Sequence, residues 1–175
     1  MATDAGMVAL WDPQCFLDIV DYETWDAQLG EDEDVERHIR AGALVPINIR
    51  SDGAFGVLLR VGGSAQPAQL TEREERQCLV TSEAYLLHTA GQMRLSGIEA
   101  VGAEVWTDTV QFDLAAGRYS VVIHLIAWED EPGGVKEDGT PSDTALSDFM
   151  ALVNPVAPEQ DNFRSAAETF NPPGD

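Results

Sequence analysis

Apolar and β-branched residues are densest between Val110 and Trp128, in VQFDLAAGRYSVVIHLIAW, and the run is broken once by the turn-like Ala115-Ala116-Gly117. This reads as two strands joined tightly. In the second arm Tyr119, Val121, Ile123, Leu125 and Ala127 share one face by the period of two, and Ser120, Val122, His124, Ile126 and Trp128 share the other. Both faces are largely apolar, which predicts a central strand covered on both sides.

The same pattern predicts further strands. Cys15 to Asp21 alternates, with Cys15, Leu17 and Ile19 toward the core. Leu44 to Arg50 and Ala54 to Val61 flank a loop ending in Asp52-Gly53, a hairpin signal, and Pro46 puts the first arm at an edge or a bulge. Gln77 to Thr81 is a strand preceded by solvated charges from Thr71 to Arg76. Ala84 to Thr89 and Gln92 to Ser96, either side of Ala90-Gly91, form a second hairpin. Leu146 to Val153 is taken as a last strand. Tyr22 to Asp34 is expected as a long exposed connection, with a short helix over Asp34–Arg40 whose acids lead and bases follow.

Many short strands separated by turns imply an all-β fold, a two-layer antiparallel β-sandwich of jelly-roll or C2-like form with at most one or two short helices. Residues 1–153 form the single sandwich domain, and 154–175, with four prolines, a proline-rich C-terminal tail.

Charge changes the picture more than size does. The chain has 175 residues, 31 of them acidic and 10 basic, for a formal net charge of -21 at pH 7. Such a balance argues against binding nucleic acid, whose phosphates need Lys and Arg, and against an anionic membrane surface. It leaves open a cationic protein partner, a cation or simple solubility. Cys15 and Cys78 lie in apolar runs, which predicts buried free thiols and a reducing compartment. With no secretory leader pattern and no apolar stretch of membrane-spanning length, the expected location is cytoplasmic.

Candidate chemistry is sparse. No GxSxG, CxxC or HExxH is present, and His38, His88 and His124 are far apart, so no catalytic residue, metal ligand or cofactor is assigned. His124, on an apolar strand face, is expected to be a hydrogen-bonded core histidine. Two other readings stay open on the residues alone. One is a calcium-binding C2-like module using acidic loops such as Glu129–Glu131 with Glu137 and Asp138. The other is a small carboxylate-dependent hydrolase.

FLDIVDYETW, then DVERHIRAGALVPINIRSDGAFGVLLRV, RQCLVTSEAYLLH and above all VQFDLAAGRYSVVIHLIAW give an order of pieces over residues 15–128 that resembles the competence protein J family of nuclease inhibitors. The resemblance is one of layout; the proline-rich tail and the acidic loop after Trp128 depart from it. It implies an inhibitor or immunity-type protein whose carboxylates occupy the cationic groove of a nuclease or toxin. The expected partner-binding face is Asp21, Tyr22, Glu23, Trp25, Asp26, Glu31, Asp32, Glu33 and Asp34, with the two aromatic residues as anchors. Equally, Tyr22 and Trp25 can cap the sandwich, and the Glu31–Asp34 run can be a solvated helix start.

Overall fold

The computed structural model describes residues 1–157 and 159–171. The chain is mostly β, in three sheets with a few short helices. One four-stranded antiparallel sheet is built from β2 (Met7–Trp11), β3 (Leu44–Asn48), β8 (Gln92–Gly97) and β9 (Val110–Asp113), in the order β3-β2-β8-β9. A five-stranded sheet holds β5 (Val57–Val61), β6 (Cys78–Thr81), β7 (Tyr85–Thr89), β10 (Gly117–Ile126) and β11 (Phe149–Pro155). A two-stranded ribbon pairs β1 (Ala2–Thr3) with β4 (Gly53–Ala54). Residues of both larger sheets, among them Val8, Met93, Val121, Ile123 and Phe149, join one hydrophobic core.

β10 is the spine. It pairs with β11 along seven residues, from Tyr119 to Leu125, and with β6 and β7 in succession along its other edge. Tyr119, Val121, Ile123 and Leu125 are buried on one face, and Ser120, His124 and Ile126 on the other, as its doubly apolar pattern requires. The second face is closed by the chain between β5 and β6. There Asn154 exchanges two hydrogen bonds with the Ala68 backbone (2.6 and 3.2 Å), and Arg60 makes a two-point pair with Glu74 (2.8 Å each).

Several expectations are corrected. None of the three expected tightly joined strand pairs forms. β7 pairs with β10 while β8 pairs with β2 and β9; β9 pairs with β8 while β10 joins the other sheet; and β3 and β5 lie in different sheets. The turns at Ala90-Gly91 and Ala115-Gly117 therefore carry the chain across the core. The sheets are not wholly antiparallel, because β5 runs parallel to β11. Pro46 does sit in an edge strand, β3, where a missing donor is tolerated.

Helix exceeds the expected one or two segments. α1 (Tyr22–Leu29) stands where an open connection was expected, α2 (Asp32–Arg40) begins two residues before the predicted helix, and α3 (Glu72–Arg76) replaces the charged approach to β6. α1 and α3 each open on a capping box, Asp21 with Thr24 and Thr71 with Glu74, which satisfies backbone donors at the helix start.

Cys15 to Asp21 is not a strand. Pro13–Cys15 is a 3-10 turn capped by Asp12, and the first long strand is β2 instead. Phe16 and Ile19, three apart, are buried, and Leu17 and Cys15 are exposed. Cys78 is half-buried, so neither thiol is sealed in the core; both are free.

The described residues after 153 are laid along the domain; 158 and 172–175 of the expected tail lie outside the described residues. β11 continues to Pro155, Arg164 bridges to Tyr85, Thr169 bridges to Asn48, and Phe170 is buried against Phe149 at 5.6 Å between ring centroids. Among the described residues no helix is long and apolar enough to cross a membrane.

Candidate functional site

Helix α1 and the segment following β8 face each other across a groove of about 460 Å³. Ile19, Val20, Tyr22, Trp25, Val101 and Trp106 supply its apolar lining, and Asp21, Glu99 and Glu104 its carboxylates. Two ties join the walls, and a third fixes the second wall to β8. Trp25 Nε1 donates to the Ile98 carbonyl (3.0 Å), Ala103 N–H donates to the Ile19 carbonyl (2.8 Å), and Arg94 Nη1 donates to the Gly102 carbonyl (3.0 Å).

Local sequence explains α1. Asp21 lies in extended backbone and accepts from Thr24 N–H (2.9 Å) and the Thr24 hydroxyl (2.7 Å), which starts the helix and holds the carboxyl below its ordinary range. Tyr22 and Trp25, three apart, then fall on one side, their rings stacked at 6.2 Å and 20°. Trp25 packs against the core, whereas Tyr22 is 76 % and Trp106 53 % exposed. Large aromatic faces left in water beside an apolar floor are the signature of a surface that meets something.

The carboxylates of the groove are not neutralised internally. Glu99 accepts from the Thr3 hydroxyl (3.1 Å) and Asp4 N–H (3.2 Å), both uncharged. The ion pairs among the described residues involve none of Asp21, Glu99 and Glu104. Arg94, although buried behind Gly102, has no carboxylate partner either; its guanidinium lies over the Trp11 ring at 5.2 Å.

Of the expected binding residues, Asp21, Tyr22 and Trp25 therefore converge on the groove. Glu23 and Asp26 are exposed elsewhere on α1. Glu31 to Asp34 start α2, which packs beside α1, but they do not line the groove, and Asp34 pairs with Arg37. Sequence reasoning missed the opposite wall, Glu99 to Trp106. An exposed tryptophan in the polar loop AEVWTDT was the available signal.

A second cluster surrounds His124. Its Nδ1 lies 3.0 Å from the Thr81 hydroxyl and 3.7 Å from Cys78 Sγ, and its Nε2 is buried without a partner. Burial lowers the pKa of this imidazole and keeps it neutral, so it does not offer the imidazolium that would activate a neighbouring thiol. Among the described residues no group of three or more His, Cys, Asp or Glu is gathered as a metal site.

No known family matches this sequence, and no curated protein does. Among solved structures, one described as "Crocagin biosynthetic gene J" is similar, with a TM-score of 0.56 and 16 % identity over 89 % of this chain and 93 % of that one. At that identity the likeness speaks for the fold, which nearly the whole of both chains shares.

Proposed function

We propose that this protein is an acidic protein-binding module, of the inhibitor or immunity kind, that engages the cationic groove of a basic partner such as a nuclease or toxin in the cytoplasm. On this reading the scaffold is a two-layer sandwich of jelly-roll or C2-like form. The observation that carries the proposal is the groove between α1 and residues 99–106, where exposed aromatic rings adjoin three carboxylates that no internal base neutralises. Aromatic anchors give an interface its short-range energy, and unpaired surface charge gives it its long-range attraction. The net charge of -21 extends that attraction over the whole molecule.

A groove of about 460 Å³ also suits a small molecule, and the description of the similar structure as a biosynthetic gene product agrees with that second reading.

The two readings separate in one experiment. Wild-type protein and the Tyr22→Ala variant are used side by side to retrieve partners from the source cell at low and high salt. Tyr22 is mostly solvent-exposed, so its loss changes stability by no more than about 0.5 kcal/mol. The protein-binding reading expects a basic protein that wild type retains at low salt, that salt releases, and that Tyr22→Ala retains at least about tenfold less well. Equal retention by both chains contradicts it.

A further inference from the structure

The chemistry of the groove narrows what part of a partner enters it. We infer that the groove is a recognition site for a single arginine side chain, presented by the basic partner. This rests on the protein-binding reading above and adds the group that is read.

Arginine and lysine differ in ways this groove distinguishes. A guanidinium is planar, weakly hydrated, and stacks on aromatic faces; an ammonium is a compact, strongly hydrated point charge. Tyr22 is stacked on Trp25 within 20° of parallel and is itself 76 % exposed, so most of the Tyr22 ring is open to water at the groove wall. Trp106, 53 % exposed, borders the same space. Ile19, Val20 and Val101 give the methylene stem an apolar bed. The head then meets Asp21, Glu99 and Glu104, which form none of the ion pairs among the described residues. The Thr24 contacts occupy only one oxygen of Asp21, Oδ1, and leave Oδ2 for a second donor. The interior already holds an arginine over an indole ring, Arg94 over Trp11 at 5.2 Å, with no carboxylate partner among the described residues.

The test uses the full chain with 15N-labelled tryptophan and follows the four indole N–H signals. The probe is acetyl-Gly-Arg-Gly-amide, compared with the lysine peptide and with the citrulline peptide, which keeps the shape and removes the charge. Trp25 and Trp106 are expected to shift and saturate with a roughly millimolar Kd. Trp11 and Trp128, whose indoles are bonded to Ser96 and Asp148, serve as controls that stay still. The lysine peptide should bind about threefold and the citrulline peptide at least about tenfold more weakly. Glu104→Gln, at an exposed position, should weaken the arginine peptide severalfold without changing the melting temperature.

Absence of a saturating shift at Trp25 and Trp106, or equal binding of the citrulline peptide, overturns the inference. If that happens while Tyr22→Ala still loses the basic protein, the arginine site falls and the protein-binding reading stands. If the arginine peptide binds as expected but no retained protein depends on Tyr22, the partner protein is overturned as the source and a free guanidino compound takes its place.

Discussion

At Gly102 a β-carbon would stand 2.9 Å from the Ile19 carbonyl oxygen and 3.1 Å from Ile19 Cγ2. The nearer obstacle is backbone and cannot swing aside. The two groove walls meet at this point, since Ile19 O also accepts from Ala103 N–H. Gly102→Ala is expected to cost about 1–3 kcal/mol, read as a lower melting temperature, and to part the walls that the Ala103 N–H to Ile19 carbonyl bond joins. Elsewhere, Glu74 is 4 % exposed and bound by Arg60 and Thr71, which hold its pKa at about 2. A depressed carboxylate stabilises the fold at any pH above its unfolded value, and that contribution disappears as pH falls from about 4.5 through about 2. Burial lowers His38 and His124, so both are neutral in the fold, and their share is lost earlier, as pH drops below about 6.5. Melts across pH should show both steps, and Glu74→Gln should shrink the lower one while costing about 3 kcal/mol at neutral pH.

Among the elements, strands were more legible than their partners. The period-two pattern in β10 located its strand and both covered faces, because alternation is a local property. Which strand lies beside it is not local. An apolar arm, a glycine turn and a second apolar arm read alike whether the arms pair with each other or cross between sheets, and here β7–β8 and β9–β10 cross. The helix α1 was hidden for another reason. Its apolar residues are few, and its start is written in Asp21 and Thr24, a capping box closed by Thr where Glu or Gln is usual. Asp21 and Tyr22 could be read as surface residues from charge and aromaticity; Trp106 could not be placed near them, being more than 80 positions away. Asp21 has separable duties as cap and as charge. Asp21→Asn keeps an acceptor for Thr24 and should leave the melting temperature nearly unchanged while weakening partner capture severalfold. Asp21→Ala should lower the melting temperature as well.

For the whole molecule, the net charge of -21 is the dominant long-range property, and the helices α1 and α2 concentrate part of it beside the groove. Glu31, Asp32, Glu33 and Asp34 lie outside the lining, so on the proposed reading their part is to steer an approaching cation rather than to touch it once bound. On the protein-binding reading two surface regions divide the work, with the α2 start governing arrival and the aromatic groove governing retention. Removing steering charge slows association, whereas removing an anchor speeds dissociation. The most direct measurement is the association rate constant of the retained basic partner as a function of ionic strength. Wild type is compared with a variant carrying Glu31→Gln, Asp32→Asn, Glu33→Gln and Asp34→Asn. Wild type should associate about tenfold faster at low salt, and the two rates should converge as salt shortens the range of the field to a few ångströms. Equal rates for the two chains at every salt concentration would contradict the account.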